Sequence, residues 1–285
     1  MQNCHGATKG VPKNEEADQC CPPYKTAEIV DYDFPRTPLR VRRPAHEVKD
    51  DKQYMKKYTE AVRKMKELDK DHPWNFYQQA LIHCAYCNGA YDQVGYKDVP
   101  LQVHYSWNFL PWHRYYLHFF ERILGRLIDD DTFTLPFWNF DVKEGMSVPE
   151  IFTSDPTSPL YNANSLQLPG LFMEDPLRAG EPYLNKGAGG LESIHSGIHQ
   201  FVGPLGGDHT DMGNFATTAK DCVFYSLHAN VDRLWHLYRN FRGNRVEFNE
   251  PDWLESSYIF YDENERVVRV KVKIDIYTKI SVQPN

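Results

Sequence analysis

Six of the 12 histidines in this chain stand at spacings typical of metal ligands, and they constrain its fold more than any other feature. They form two groups of three, which are His83, His104 and His113, and then His195, His199 and His228. His195 and His199 lie four residues apart in HSGIH, so a helix would place both on one face. Imidazoles without a carboxylate suit zinc, copper, iron or nickel, and disfavour calcium or magnesium. Two such groups predict a dinuclear site.

The other histidines are interpreted as structural, because a lone histidine is more often a hydrogen-bonded residue than a ligand. His118 and His236 share helices with ligands, but their spacings from His113 and His228 suit a shared metal poorly, and we interpret them as packing residues. Asp232, four residues after His228, is expected to hold a neighbouring group by a hydrogen bond. The remaining structural assignments are His5, His46, His72 and His209.

Composition places the chain among globular proteins with a sizeable core. Of its 285 residues, 41% are hydrophobic and 25% are charged, with a formal net charge of -7. No stretch of about 18 apolar residues is present, so we expect no membrane span. No basic stripe is present either, which disfavours nucleic-acid binding. The short run ValArgArg near Val41 is expected to be a solvated strand edge.

The cysteines cluster near the N-terminus. Residues 1 to about 45 form a polar arm, rich in glycine and proline, that contains Cys4, Cys20 and Cys21. An arm with so few apolar residues needs staples to stay folded, so disulfides are expected there, with a reduced, floppy arm as the alternative. Cys84 and Cys87 follow closely after His83.

Apolar periodicity predicts a mainly helical fold. Helices are expected from near Asp51, from near Pro73 through His83, through His113, at HSGIH, and through CVFYSLHANVDRLWHLYRNF. Residues 145–190 are rich in proline, glycine, serine and asparagine and predict a long irregular connection. RVVRVKVKIDI alternates with the period of a half-buried strand. We therefore predict a four-helix bundle around a histidine-lined metal site, with long loops and a few peripheral short strands.

Several segments closely resemble the plant polyphenol oxidases, the tyrosinase and catechol oxidase family of type-3 copper proteins. The segments are HCAYCNGAYDQ, VHYSWNFLPWHRYYLHFFERIL, LPFWNFD, DMGNF and HANVDRLW, and the likeness extends from the CysCysProPro of the arm to the VRVKV strand. The resemblance implies a single catalytic domain over residues 1–285. It also implies that the usual C-terminal shielding domain is absent, because the chain ends soon after VKVKIDI.

The resemblance also implies roles for individual residues. Two copper ions would be bound, the first by His83, His104 and His113 and the second by His195, His199 and His228. Cys87 would form a thioether to His104, and disulfides would join Cys4 to Cys21 and Cys20 to Cys84. Phe215 would be the gate residue whose ring lies over the second copper. Asn230 and Asp232 would brace the helix that carries His228.

The chain departs from the family pattern at four places. Leu227 replaces a histidine before the last ligand, and this change is expected to alter either substrate deprotonation or the pocket wall. Glu192 stands three residues before His195, where the family's water-holding glutamate stands four before, and Leu191 takes the expected place. Glu192 is nevertheless expected to serve as that catalytic glutamate through a shifted loop. The connection between the two copper segments is shorter than usual. Cys222 replaces a proline and is expected to be a small buried residue.

These residues lead to an expected activity and to alternatives. The main hypothesis is a dicopper oxidase that uses dioxygen to oxidise o-diphenols to o-quinones, with possible hydroxylation of monophenols. Ser196 and Gln200 follow two ligands and would line the substrate approach, and Ser196 favours diphenol oxidation. The alternatives are a specialised phenol hydroxylase or oxidative cyclase, a dioxygen-binding protein, and a dinuclear zinc or iron hydrolase, which the missing carboxylates disfavour.

The expected partners are dioxygen and small phenols. The sequence does not determine the oligomeric state or the physiological phenol. The segment MQNCHGATKG lacks the apolar region of a secretory signal, so the chain is interpreted as a mature form. The family resemblance implies a plastid protein of the thylakoid lumen.

Overall fold

The computed structural model describes residues 2–4, 20–22, 28–35, 40–93, 95–165, 190–203, 211–240, 249–275 and 281–282. His5, His209 and residues 166–189 of the predicted connection lie outside this range. The helices of the described part are α1 Ala45–Val48, α2 Lys52–Glu67, α3 Phe76–Cys87, α4 Phe109–Leu127, α5 Gly190–Val202, α6 Cys222–Arg239, α7 Pro251–Glu255 and α8 Val272–Asp275. The prediction of a mainly α fold is confirmed.

The strands are short. They are β1 Gln2–Cys4, β2 Val30–Asp31, β3 Val41–Arg42, β4 Tyr91–Gln93, β5 Tyr96–Pro100, β6 Ser257–Tyr261, β7 Val267–Lys271 and β8 Ser281–Val282. Strands β6 and β7 contribute buried side chains to the core. Within the described residues the strands form three small sheets, with strand orders β1-β4-β5, β2-β7-β6 and β3-β8. In the second sheet, β6 and β7 pair antiparallel and β2 pairs parallel with β7.

Helix α4 forms the centre of the core. Nearly every side chain along it is buried, including Trp112 and Phe120. It packs against α2 on one side and α6 on the other, while α5 packs on α6. The Tyr116 hydroxyl of α4 donates to the Gln79 carbonyl of α3 at 2.6 Å and so joins these two helices. The helices α3, α4, α5 and α6 thus surround one aromatic interior.

Local capping explains where the early helices begin. Asp51 accepts a hydrogen bond from the Tyr54 N–H, and α2 begins directly after it, as the sequence predicts. The second helix begins at Phe76 and not at Pro73. The side-chain oxygen of Asn75 caps this helix by accepting a hydrogen bond from the Tyr77 N–H. The side-chain NH2 group of Asn75 donates to the Leu68 carbonyl. The preceding residues are therefore held in a turn.

The last predicted strand is shorter than its alternating pattern. β7 ends at Lys271, and Val272–Asp275 form a helical turn. The Val272 N–H donates to the Ser256 carbonyl at 3.0 Å, which ends the strand next to α7. Ile276, the last residue of RVVRVKVKIDI, lies outside the described residues.

One disulfide closes a loop within the N-terminal arm, and a second attaches the arm to the helical core. Cys4 pairs with Cys21 and Cys20 pairs with Cys84, with Cα–Cα distances of 5.7 and 5.2 Å. Both pairings implied by the resemblance are confirmed. The second bond ends at the residue that follows His83 on α3, so it holds the arm against a helix that carries a ligand. Cys222 is buried and unpaired, as expected.

The expectation of a solvated edge at the ValArgArg run is wrong for Arg42. This side chain is fully buried. Its guanidinium binds both oxygens of Glu121, at 2.6 and 3.0 Å, and one oxygen of Asp232 at 2.7 Å. Two carboxylates on α4 and α6 offset the cost of burying the charge, which a pattern of alternating residues does not reveal.

Candidate metal centre

Each histidine of the first group comes from a different element. His83 lies near the end of α3, His104 in the loop before α4, and His113 in the first half of α4. All three are buried. One ring nitrogen of each histidine and the Cys87 sulfur all lie within 4.8 Å of one another. The sequence prediction that these three side chains meet is therefore confirmed.

Backbone carbonyls orient two of these imidazoles. The Nδ1 atom of His83 lies 3.0 Å from the Phe215 carbonyl, and that of His113 lies 2.7 Å from the Phe109 carbonyl. A carbonyl can only accept, so each Nδ1 carries the proton and each Nε2 keeps its lone pair. The two Nε2 atoms are buried without a hydrogen-bond partner. Buried acceptors of this kind are typical of metal ligands.

The second group forms a tight triangle. The Nε2 atoms of His195, His199 and His228 lie 2.8, 3.0 and 3.3 Å apart. His199 Nδ1 lies 3.0 Å from the Met212 carbonyl, which fixes its Nε2 as an acceptor. A single ion can lie about 2.0–2.1 Å from all three nitrogens, the usual distance for imidazole on a transition metal. The residues present therefore fit a metal ion.

The two groups face each other across one interior space. The rings of His113 and His228 are stacked, with centroids 4.1 Å apart, and those of His104 and His195 are nearly parallel at 5.8 Å. Burial lowers the pKa of His113 to about 3 and that of His199 to about 4. The imidazoles are therefore neutral at physiological pH, as ligands must be. The geometry is that of a dinuclear centre.

Phe215 does not lie where the resemblance implies. Its ring stacks on His104 of the first group, with centroids 4.4 Å apart. The expected position over the second metal is therefore corrected, because the loop that carries Phe215 also supplies the carbonyl that binds His83. The half-buried ring forms part of the wall beside the first group.

Glu192 is buried in the first turn of α5, and it reaches the first group by way of the backbone. Its Oε1 accepts a hydrogen bond of 2.5 Å from the N–H of Tyr105, the residue after His104. The carboxylate also adds to the effect of burial in raising the pKa of the Cys87 thiol. Glu192 thus connects the helix of the second group with the loop of the first.

The three predicted pocket residues differ in exposure. Gln200 is exposed and Ser196 is half-buried, with its hydroxyl donating to the Glu192 carbonyl at 2.9 Å. Leu227 is fully buried in the hydrophobic core. Any effect of Leu227 on a bound molecule therefore passes through its packing and not through the exposed surface.

The helix of His228 is braced by residues that the sequence identified in part. Asp232 binds Arg42 and Arg114, and Asn230 donates to Asp141 at 2.8 Å. Both contacts agree with the expected bracing role. Asp232 thus holds two guanidinium groups and not a ligand histidine.

Sequence reasoning missed two residues that hold ligands. The Thr218 hydroxyl lies 2.9 Å from Nδ1 of His199, and the side-chain oxygen of Gln102 accepts from the His104 N–H at 3.1 Å. Neither residue stands at a recognisable spacing from its histidine, so no local signal identifies it.

Among the described residues, no helix combines the length and apolar character needed to cross a membrane.

Two family models match the chain. The common central domain of tyrosinase matches residues 73–183 and 172–241, and the polyphenol oxidase middle domain matches residues 247–277. Together these matches cover the elements that carry both histidine groups.

Curated relatives support the same assignment. The chloroplastic polyphenol oxidase II of Ipomoea batatas is 40% identical over 95% of this chain and 54% of its own length. The chloroplastic (+)-larreatricin hydroxylase of Larrea tridentata is 42% identical over 89% of this chain and 50% of its own. The chain therefore spans about half the length of these relatives.

A solved structure agrees with both the fold and the sequence match. The crystal structure of Grenache (Vitis vinifera) polyphenol oxidase superposes with a TM-score of 0.89 and 39% identity, and the match covers 99% of this chain and 96% of that one. The paired histidine groups, the family models and these relatives agree. The chain belongs to the tyrosinase-type polyphenol oxidase family of plants, copper oxidoreductases with a type-3 dicopper centre.

Proposed function

We propose that this protein uses dioxygen to oxidise o-diphenols to o-quinones. The observation that carries the proposal is the pair of facing groups of three neutral imidazoles, which contain no carboxylate ligand among the described residues. Imidazole ligands suit a copper ion that changes oxidation state. The chain is proposed to act as one catalytic domain over residues 1–285, with its arm held by the two disulfides.

The six imidazoles are the proposed copper ligands. His83, His104 and His113 would hold the first ion, and His195, His199 and His228 the second. Bound copper supplies the redox chemistry, and the diphenol loses two electrons and two protons as it becomes the quinone. Phe215 offers an apolar ring face beside the first group and orients a flat aromatic substrate. Ser196 and Gln200 line the approach, and Leu227 shapes the wall from behind.

Glu192 acts in this proposal by holding the loop of His104. Its Oε1 is engaged by the Tyr105 N–H, and its backbone carbonyl accepts from Ser196. The carboxylate therefore holds the helix of the second histidine group and the loop of His104 in a fixed relative position. The proposed compartment is the plastid, as the names of the relatives state for those proteins, and within it the thylakoid lumen.

A thioether between Cys87 and His104 is part of the proposal. The Cys87 thiol is buried and unpaired beside the first group, and neither ring nitrogen of His104 has a hydrogen-bond partner to fix the imidazole. A covalent bond from the sulfur to a ring carbon would fix the ring. Its formation would release two protons and two electrons, and the dioxygen of the proposed reaction would be the acceptor for both.

Peptide mapping of the copper-loaded, aerated protein tests the crosslink. We expect the peptide with Cys87 and the peptide with His104 to appear as one species, with the summed mass less two hydrogens. The variant Cys87→Ser should yield two separate peptides. Separate, unmodified peptides from the parent protein would contradict the crosslink.

Oxygen uptake tests the proposed function directly. We expect the copper-loaded protein to consume oxygen when catechol is the substrate. With phenol, the matching monophenol, oxygen uptake should be far slower or should begin only after a lag. Uptake with both at similar rates would make the activity that of a tyrosinase. No uptake with either, at two coppers per chain, would contradict a general oxidase.

A specialised phenol hydroxylase or oxidative cyclase is the second candidate. Leu227, which replaces a histidine of the family pattern, and the 42% identity to (+)-larreatricin hydroxylase favour it. In that case oxygen uptake would require a larger phenol than catechol. A dioxygen-binding protein is the third alternative, and it would bind oxygen reversibly without consuming either phenol.

A further inference from the structure

Tyr105 directly follows a metal ligand, yet its ring is at the surface. The side chain is 52% exposed, whereas His104 beside it is buried. Phe215, which stacks on His104, is half-buried. The three rings thus form a continuous aromatic surface that passes from the buried ligand to the exterior.

The backbone at Tyr105 is held in an unusual conformation. Its φ is 58°, in the left-handed region that bulky residues rarely adopt. Two side chains hold this loop on either side of the ligand. Glu192 accepts from the Tyr105 N–H, and Gln102 accepts from the His104 N–H. Strained conformations that persist under such restraint cluster at functional sites.

The Tyr105 ring is in edge contact with that of Phe215 and extends its aromatic surface toward the exterior. The Tyr105 centroid lies 6.5 Å from that of Phe215, with the planes at 68°, and 6.4 Å from that of His104. Aromatic rings attract one another at centroid distances of about 4.5–7 Å. A phenol ring placed beside Phe215 would lie near the buried His104. A second ring joined to it would extend outward, to the level of Tyr105.

We propose that Tyr105 determines substrate specificity by binding the second aromatic ring of a two-ring phenol whose first ring faces the metal centre. This inference rests on the proposed function for its reaction, and concerns which phenols are preferred. Glu192 contributes as a positioning residue, because it fixes the backbone from which the ring projects. The Tyr105 hydroxyl can also donate to a polar group on the second ring.

Binding of molecules that the centre cannot oxidise tests the inference without turnover. Titration calorimetry of the copper-loaded protein would compare biphenyl-4-carboxylate with benzoate, whose carboxylates can both bind a metal. In Tyr105→Gly, which accepts the positive φ without strain, we expect biphenyl-4-carboxylate to bind about 3- to 10-fold more weakly. Benzoate should bind as in the parent protein. The variant Tyr105→Asn, which also tolerates this backbone, should behave alike.

The matched control removes a tyrosine ring of similar exposure elsewhere. Tyr77 is 50% exposed at the start of α3, and Tyr77→Ala should change the affinity of neither ligand. A parallel kinetic experiment uses catechol and its phenyl-substituted analogue, phenylcatechol, as substrates. Tyr105→Gly should raise the Michaelis constant for phenylcatechol and leave that for catechol unchanged. Comparing the larger and the smaller molecule separates ring binding from a general loss of folding or copper, because such a loss would affect both molecules.

The outcomes distinguish the inference from the proposed function. The decisive quantity is the affinity for biphenyl-4-carboxylate relative to that for benzoate. If this ratio is equal in the parent protein and both Tyr105 variants, at unchanged copper content, the inference is overturned even if catechol is oxidised. Conversely, selective weakening of biphenyl-4-carboxylate binding in the calorimetric experiment would uphold ring binding at Tyr105 even if catechol oxidation proved absent.

Discussion

Replacing His228 with alanine is expected to remove the second copper and to abolish most catechol oxidation. Its Nε2 lies 3.0 Å from that of His195 and 3.3 Å from that of His199, so its loss leaves two nitrogens for the second ion. Residues that only orient a ligand typically cost about 10–100-fold when mutated. We therefore expect the loss of a ligand to lower kcat by more than about 100-fold, with copper content falling from two ions toward one.

The control variant is on the same helix. His236→Ala removes an imidazole two turns further along α6, where the side chain is half-buried and does not belong to either histidine group. Copper content and oxygen uptake should both stay at the level of the parent protein. Two retained coppers in His228→Ala, with unchanged uptake, would show that the assignment of the second ligand group is wrong.

Replacing Asp232 with alanine is expected to give the largest loss of stability. Although burial alone raises the pKa of Asp232, the guanidinium groups of Arg114 and Arg42 hold it below its usual value. Removing the carboxylate leaves both buried cations with fewer partners. Breaking a buried ion pair costs about 3–5 kcal/mol. For a large domain this corresponds to a fall in Tm of roughly 6–20 °C.

An exposed ion pair provides the comparison. Asp31 binds Arg269 at 2.6 Å, but its side chain is 72% exposed. Asp31→Ala should leave the Tm unchanged within error, because surface ion pairs contribute little. Thermal unfolding of both variants, followed by circular dichroism in the same buffer, makes the measurement. Similar shifts in the two variants would contradict a special role for the buried cluster.

The ligand set could be predicted from the sequence because histidine chemistry and helical periodicity are local. His195 and His199 share a helix face by their spacing alone, and the PWHR and HCAYC segments carried a specific family resemblance. The same local rules predicted the start of α2 at its Asp51 cap. They were less accurate at α3, where Asn75 and its bond to the Leu68 carbonyl set the first residue.

The contacts that orient the ligands could not be predicted. Thr218, Gln102 and Glu192 each reach a histidine or its neighbour through a contact that no sequence spacing reveals. Such a hydrogen bond depends on how helices and loops pack, and a short sequence window does not contain that packing. The Phe215 ring was expected over the second copper, and its actual position on His104 was not predicted for the same reason.

Arg42 shows most clearly how the two sources of information divide. By itself the sequence determined which residues can bind metal and which segments form helices. Its family resemblance also identified the cysteines that form the two disulfides. Tertiary structure alone decided that an arginine in a charged run is fully buried between Glu121 and Asp232, and that Tyr105 projects from a left-handed loop. Propensity and periodicity act over a few residues, whereas burial and charge pairing depend on what the fold brings together from far along the chain.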